Sequence, residues 1–272
     1  MRNKKIKILV VGKNSFLAKN YYYLSRLKKK IKIIKYTQIE SINYENYTHI
    51  VNFSYDPKIY SKNYYSTNRI DKKICNLIKN KDIIYVFPSS RLIYKIKNKF
   101  ENSKKEKHYY SQNKKIIEDE IKRSRKKKYL ILRIVNILEF NLDKRKLFIS
   151  SLLNTLKNKN YIKYDLSNKS YKDFITLKYF AKSLDSLIEL KRCGIFNISS
   201  GKKINIHELG KLIIKGYGSG NILYKKKLYN DSFVLNNKKL KETTGLDLTK
   251  SEVLKNCIYI GKKLKRVINL KN

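Results

Sequence analysis

The sequence predicts an α/β fold, a doubly wound parallel sheet followed by a smaller C-terminal lobe. Three observations carry that expectation. Apolar runs of strand length alternate with segments of helical spacing up to about residue 157. The alternation then loosens. Glycine is also uneven: Gly12 is the only glycine before Gly194, and the other eight lie between 194 and 261. Repeated strand–helix alternation implies parallel strands joined by right-handed crossovers. Ligands of such sheets bind beyond the carboxyl ends of the strands.

The elements follow in order. Ile6–Val11 is apolar except for Lys7, as befits a strand buried on both faces. Phe16, Leu17, Tyr21, Leu24 and Leu27 have helical spacing. Strands are expected at Ile31–Tyr36, His49–Phe53, Asp82–Phe87 and Tyr129–Val135. Helices are expected at Ile70–Ile78, Gln112–Ser124 and Leu147–Leu156. Later come short strands at Ile162–Leu166, Ile195–Ile198 and Ile222–Tyr224. The later helices are Phe180–Leu190, Ile206–Ile214 and Ser251–Val267.

Composition bounds the function classes. With 42% apolar and 12% aromatic residues spread along 272 positions, the chain has material for a core and is not a disordered basic tail. Its uncharged apolar runs fall far short of the roughly 20 residues of a membrane span. Lys+Arg is 64 against Asp+Glu 21, a net charge of +43. Only ten of the basic residues are Arg, and Tyr is 23 while Pro is 2 and Trp 0. Lys, Asn, Ile and Tyr share AT-rich codons, so the charge reads first as genomic background. A polyanion-binding surface is the sharper reading, but base readers favour arginine. The densest basic segments, Lys104–Lys107 and Arg123–Lys128, read as a solvated loop and a helix end. No specific nucleic-acid partner is expected.

Cys75, Cys193 and Cys257 are far apart and in no CxxC spacing, which argues against disulfides and zinc. His49, His108 and His207 have no ligand spacing either, so no metal is expected. The N-terminal apolar stretch is too short for a signal peptide and reads as the first strand, which points to the cytoplasm.

Two places carry chemistry. Val11-Gly12-Lys13-Asn14-Ser15-Phe16-Leu17-Ala18 joins the first strand to the first helix, with small residues at Gly12, Ser15 and Ala18. A dinucleotide pyrophosphate can sit on such a helix N-terminus, held by free N–H groups and the macrodipole. Alone, the turn reads equally as an ordinary junction with Ser15 as N-cap. At the end of the second strand, where an acid usually binds the ribose, Lys35 stands instead. Lys35 can meet a 2′-phosphate, or it is simply one of 54 lysines.

The second place runs from Pro88-Ser89-Ser90 to Tyr110-Ser111-Gln112-Asn113-Lys114. On a helix, residues four apart share a face, so Tyr110 and Lys114 point the same way. An ammonium beside a phenol lowers the phenol's pKa and lets it exchange a proton near neutral pH. Ser90, at a strand's carboxyl end, can hydrogen-bond the same substrate oxygen. A Y-x-x-x-K pair alone says little among 23 Tyr and 54 Lys. Its place in the alternating pattern gives it weight.

With these motifs in order, the chain resembles the extended short-chain dehydrogenase/reductase superfamily, in its NAD-dependent epimerase/dehydratase branch. The resemblance covers nearly the whole chain. The Gly12 turn resembles G-x-x-G-x-x-G/A, implying cofactor contacts at Gly12, Ser15, Phe16, Leu17 and Ala18. Ile50-Val51-Asn52-Phe53-Ser54 resembles the strand that ends near the cofactor, adding Asn52 and Ser54 to Lys35. Ser89-Ser90-Arg91-Leu92-Ile93-Tyr94 resembles S-S-x-x-x-Y, implying Ser90 as catalytic with Tyr110 and Lys114. Leu132-Arg133-Ile134-Val135-Asn136 resembles L-R-x-x-N, implying that Asn136 contacts substrate. Lys172-Asp173-Phe174-Ile175 resembles R-D-F-I, implying that Lys172 meets the substrate diphosphate. Gly194-Ile195-Phe196-Asn197-Ile198-Ser199-Ser200-Gly201 resembles G-x-Y-N-I-G-S-G.

The resemblance implies a Rossmann-type domain over 1–157 and a substrate-binding lobe over 158–272, with part of 170–200 returning to the main sheet. It implies NAD or NADP as cofactor, a nucleotide-diphosphate sugar as substrate, and a homodimer. The sequence departs from the pattern at Ser15, at Glu139-Phe140 where Gly-Pro is usual, and at Lys178-Tyr179 where an acidic pair is usual. The short segment between the second strand and Asn52 implies a lost strand and helix. Arg91-Leu92 replaces the Asp-Glu pair of the dehydratases, and Leu92 cannot act as the cysteine of the epimerase–reductases. A keto-sugar reductase or a 4-epimerase remains, with a catalytically degenerate binding relative as the alternative.

Overall fold

The computed structural model describes residues 5–62, 64, 69–95, 105–142, 148–229 and 231–270. In chain order the elements begin β1 (Ile8–Val11), α1 (Phe16–Leu24), β2 (Ile31–Ile34), β3 (His49–Asn52), α2 (Ile70–Leu77), β4 (Ile84–Ser90), α3 (Lys105–Arg125) and β5 (Tyr129–Ile134). They continue with β6 (Asn136–Leu138), α4 (Phe148–Lys159), β7 (Tyr161–Leu166), β8 (Tyr171–Lys172), β9 (Phe174–Thr176), α5 (Leu177–Glu189) and β10 (Gly194–Ile198). The last are β11 (Ile204–Asn205), α6 (Ile206–Tyr217), β12 (Asn221–Tyr229), α7 (Lys238–Thr244) and α8 (Lys250–Asn269).

Contacts divide the chain into two units. The first comprises Met1–Ile134, Ala181–Ile198 and Glu242–Thr244. The second comprises Val135–Phe180, Ser199–Lys241 and Gly245–Asn272. The division at Ile134/Val135 falls ahead of the sequence division at 157/158, because α4 packs with β7 inside the second unit.

The first unit is built on a six-stranded sheet in the order β10-β5-β4-β3-β1-β2, with every neighbouring pair parallel. After β2 the chain returns to the far side of β1 and forms β3. The sheet therefore reverses direction between β1 and β3, and its topological switch point lies there. Only 3-10 turns separate β2 from β3, so the connection holds neither a strand nor an α-helix. All four residues of β1 and all four of β3 are buried, as a sheet covered on both faces requires. Ile74, Cys75 and Ile78 from the α2 region, with Ile117 and Ile121 from α3, cover one face. They pack on Leu9, Val11, Ile50, Tyr85, Phe87 and Ile131.

Helix ends differ from the apolar spacing where polar groups intervene. α1 stops at Leu24 rather than Leu27, because the Ser25 hydroxyl and the Arg26 N–H donate to the Asp185 carboxylate at 2.7 and 2.9 Å. α3 starts seven residues before Gln112 (112 − 105 = 7), over a Lys/Glu-rich stretch with good helix formers but no apolar stripe. It ends where Lys126 turns to φ +52°. The neighbouring Arg125 is buried and donates to the Ile78, Lys79, Lys81 and Ile83 carbonyls, closing the C-terminal end of α2. The basic segment Arg123–Lys128 is therefore partly turned inward. Lys104, in the other basic segment, lies outside the described residues.

The second unit holds three two-stranded sheets, β6–β9 and β7–β12 parallel and β8–β11 antiparallel. Helices α6 and α8 cross at glycines. A Cβ on Gly216 would lie 2.1 Å from the Ile258 carbonyl oxygen, and one on Gly261 2.0 Å from that of Ile213. Among the described residues, no helix is long and apolar enough to cross a membrane.

Candidate active site

Gly12 leaves β1 with φ +104° and is buried. A Cβ there would lie 2.6 Å from the Ser54 nitrogen and 2.8 Å from the Phe53 carbonyl carbon. Only glycine fits this approach between the ends of β1 and β3. The Gly12 and Lys13 N–H groups both donate to the Ile34 carbonyl, at 2.9 and 3.0 Å, and tie the turn to the end of β2. Ser15 is the N-cap of α1: its hydroxyl accepts from the Ala18 N–H at 3.1 Å. The N-cap reading of this turn is the one the hydrogen bonds show. The cap commits the Ser15 hydroxyl, while the first-turn N–H groups of Phe16 and Leu17 have no acceptor within a helix. They face the direction an anion would approach along the macrodipole. Lys35 follows β2 directly and is exposed. The tight turn, the positive φ of Gly12 and the helix N-terminus that follows suit a dinucleotide pyrophosphate.

Asn52 ends β3 and is buried. Its side-chain oxygen, Oδ1, accepts from the N–H and hydroxyl of Ser54, the former at 3.0 Å. Its amide donates to Asp71 at 2.9 Å, and the Tyr85 hydroxyl donates to the same carboxylate oxygen at 2.6 Å. Asn52, Ser54, Tyr55, Asp71, Tyr110 and Lys114 line one cleft.

Ser90, Tyr110 and Lys114 come together at the carboxyl end of β4. Ser90 is the last residue of that strand; its hydroxyl accepts from the Leu92 N–H at 3.2 Å and lies near enough to the Tyr110 phenol to favour its charged form. Lys114, one turn along α3, donates to the Pro88 carbonyl at 2.9 Å and lies 4.4 Å from the centre of the Phe87 ring. Its ammonium is 5.9 Å from the centre of the Tyr110 ring. Tyr60 stacks on Tyr110 with ring centres 4.9 Å apart. One helical turn beyond Lys114, the buried Glu118 forms a two-point ion pair with Arg133 of β5, at 3.1 and 2.7 Å.

The electrostatics correct one expectation. The Tyr110 phenol is not lowered. Burial pushes it up, Tyr60 adds to the rise, and the nearby Ser90 hydroxyl pulls the other way. Burial lowers Lys114 to about 8, against the opposing pull of Asp71 and Glu118. Each group is thus shifted toward its neutral form, because desolvation outweighs the neighbouring charges.

Asn136 and Lys172 lie in the second unit. The Asn136 amide donates to the Asp173 carbonyl at 3.3 Å. Lys172 is buried, and its ammonium is paired with the Asp231 carboxylate and donates to the Asp231 carbonyl at 3.1 Å. Asp173 organises its neighbourhood, accepting from the Ser200 N–H and hydroxyl and from the Gly201 and Leu235 N–H groups. Among the described residues, no group of three or more His, Cys, Asp or Glu side chains is placed to hold a metal. All three cysteines are free.

Sequence reasoning did not single out Asp71, Tyr55 or Tyr60. Asp71 has the signature of an ordinary first-turn acid, and the two tyrosines are among 23.

No protein-family model matches the sequence, and no curated protein matches it significantly. The structure does match solved ones. A UDP-N-acetylglucosamine 4-epimerase from Methanobrevibacter ruminantium M1, in complex with UDP-N-acetylmuramic acid, is 16% identical. The match covers 98% of this chain and 99% of that one, with a TM-score of 0.77. RMD from Pseudomonas aeruginosa, complexed with NADPH, is 13% identical over 96% of this chain and 98% of that one, with a TM-score of 0.74. A dTDP-glucose 4,6-dehydratase from Bacillus anthracis, in complex with NAD, is 16% identical over 95% and 97%, with a TM-score of 0.73. The chain shares the fold of these three solved proteins along nearly its whole length.

Proposed function

We propose that the chain is an NAD(P)-dependent enzyme acting on a nucleotide-diphosphate sugar, as a ketoreductase or a 4-epimerase. The observation that carries this reading is the convergence of Tyr110 and Lys114 on one cleft, which Asn52 and Ser54 of the switch point also line, with Ser90 beside Tyr110 at the carboxyl end of β4. The glycine-only turn at Gly12 suits the pyrophosphate of a dinucleotide, and solved structures of the same fold carry NAD or NADPH.

A bound nicotinamide supplies or accepts the hydride at the sugar carbon. The chain's own residues handle the oxygen. The Tyr110 hydroxyl gives its proton to the carbonyl oxygen during reduction and takes it back during oxidation. The Ser90 hydroxyl hydrogen-bonds the same oxygen. Lys114, held by the Pro88 carbonyl, provides positive charge that favours the phenolate as the proton leaves. Lys35 and the N–H groups of Phe16 and Leu17 would meet the cofactor phosphates, with Ala18 giving close packing. Asn136 and Lys172 are the substrate-side candidates, the latter only after exchanging its Asp231 partner for a diphosphate.

That pairing favours one second reading, a nucleotide- or partner-binding relative without turnover. Mass spectrometry of the purified protein for bound nicotinamide, combined with a Tyr110→Phe variant, separates the two. The enzyme reading expects bound or bindable cofactor and a turnover that collapses in the variant. Turnover that survives Tyr110→Phe, or no binding of either cofactor, overturns it. Sedimentation at working concentration tests the homodimer that the sequence resemblance implies.

A further inference from the structure

Asp71 sits at the start of α2, where an acid normally serves the helix dipole and faces water. Its side chain does something else. One of its oxygens accepts from both the Asn52 amide, at 2.9 Å, and the Tyr85 hydroxyl, at 2.6 Å. It lines the same cleft as Lys114 and Tyr110.

The charged and titratable groups around Lys114 can be taken element by element. On α3, Tyr110 and Glu118 flank it, and Glu118 is already matched by Arg133. From β4 come Tyr85, the Phe87 ring and the Pro88 carbonyl. The segment after β3 brings Tyr55, Asp56 and Tyr60. Asp56 is engaged as the cap of the turn at 57–60, accepting from the Lys58 N–H at 2.9 Å, and takes the Tyr64 hydroxyl at 3.0 Å. From α2 comes Asp71, which forms no ion pair among the described residues. Its hydrogen bonds come from neutral donors, so its full charge acts on the cleft.

We propose that Asp71 is a positioning residue of this cleft, fixing the Asn52 amide and serving as the counter-charge that keeps Lys114 protonated there. Asn52 in turn holds the Ser54 backbone against Gly12, so one carboxylate joins the lysine to the switch-point turn. The directions of the electrostatic effects on Lys114 agree with the geometry: burial works against its charge, and Asp71 is the largest opposing influence. The inference deepens the enzymatic reading and rests on it for its meaning, but its test needs neither substrate nor cofactor.

The test is trace acetylation with acetic anhydride across pH, with Lys114 read by peptide mass spectrometry against the other lysines as internal standards. In the wild-type chain Lys114 should titrate near 8. Asp71→Asn keeps an acceptor oxygen for Asn52 and Tyr85 and removes only the charge. Its Lys114 midpoint should fall, and acetylation at pH 7 should rise several-fold while other lysines stay put. Tyr85→Phe, which leaves the charge in place, should keep the wild-type midpoint. Asp71→Ala should lower the urea midpoint more than Asp71→Asn, since it also frees the Asn52 amide. If Asp71→Asn does not fold, Asp71→Ser takes its place in the titration. A Lys114 midpoint that does not move when the carboxylate is removed overturns the proposal. A chain that shows the shift yet turns over no sugar overturns the enzymatic reading alone.

Discussion

Gly12 faces the peptide between Phe53 and Ser54 so closely that a Cβ would lie 2.6 Å from the Ser54 nitrogen. This is where the sheet reverses its winding. Gly12→Ala must also hold φ near +104°, a conformation that costs an L-residue about 1–3 kcal/mol. The variant should melt earlier, and the thermal stabilisation by NAD(H) or NADP(H) that the proposed function expects of the wild type should be lost. Equal stabilisation of both proteins by cofactor would separate this turn from cofactor binding.

Glu118 is fully buried, and its charge is met by Arg133 through two hydrogen bonds. Glu118→Gln leaves the guanidinium facing a neutral amide in a largely dry site. Breaking a buried pair by removing one partner costs about 3–5 kcal/mol. Urea unfolding should show a loss of that order, with part of it recovered when Arg133→Leu is added. An unchanged unfolding midpoint in Glu118→Gln contradicts the account of this pair.

Helices α6 and α8 meet backbone to backbone at Gly216 and Gly261. A methyl group at either position collides with a carbonyl, not with the movable end of a side chain. Overpacking of this kind costs about 1–3 kcal/mol, more when backbone must shift. Gly216→Ala and Gly261→Ala should each lower the melting temperature. Because both act on one crossing, the double variant should lose less than the sum.

His49 lies buried at the start of β3, with Nδ1 3.0 Å from the Thr48 hydroxyl. Burial, aided by the charge of Lys191, holds its imidazole down to about 4. The unfolded chain takes up that proton near pH 6.5, so it binds more protons than the native chain between those values. Stability should therefore fall as pH drops from 6.5 toward 4, by an amount on the order of 3 kcal/mol from this group alone. His49→Gln should flatten that part of the stability–pH curve. Parallel curves for the two proteins would show that the histidine is not the source.

The sequence foretold the main sheet because β1, β4 and β5 carry runs of three or four buried apolar residues (Ile8–Val11, Tyr85–Phe87 and Leu130–Leu132) and β3 the buried pair Ile50-Val51, which leave a plain pattern. β6, β8, β9 and β11 are two or three residues long and have no room for a period. The Ser90, Tyr110 and Lys114 grouping was legible through helix spacing and strand position. The state of those groups was not, since the rise of the Tyr110 phenol comes from burial and from Tyr60, fifty residues away (110 − 60 = 50). Asp71 acquires its role only when β3, β4 and α3 converge on it. The burial of Lys172 against Asp231 is equally a matter of tertiary placement. Composition hid one useful signal. In a chain with ten arginines, Arg69 and Arg133 pair with Glu120 and Glu118, and Arg125 spans four carbonyls. These are placements that need a planar fork, which lysine lacks.

In the proposed function Tyr110 moves the proton in a nicotinamide-dependent reaction on a sugar carbon. The direct measurement is turnover of nucleotide-diphosphate keto-sugars by the wild type and by Tyr110→Phe, each checked for cofactor binding in the same preparation. Bound cofactor is expected in both, with a loss of about 10²–10⁴-fold in turnover for the variant, the size of a general acid–base contribution. Turnover that is the same in both proteins would contradict it.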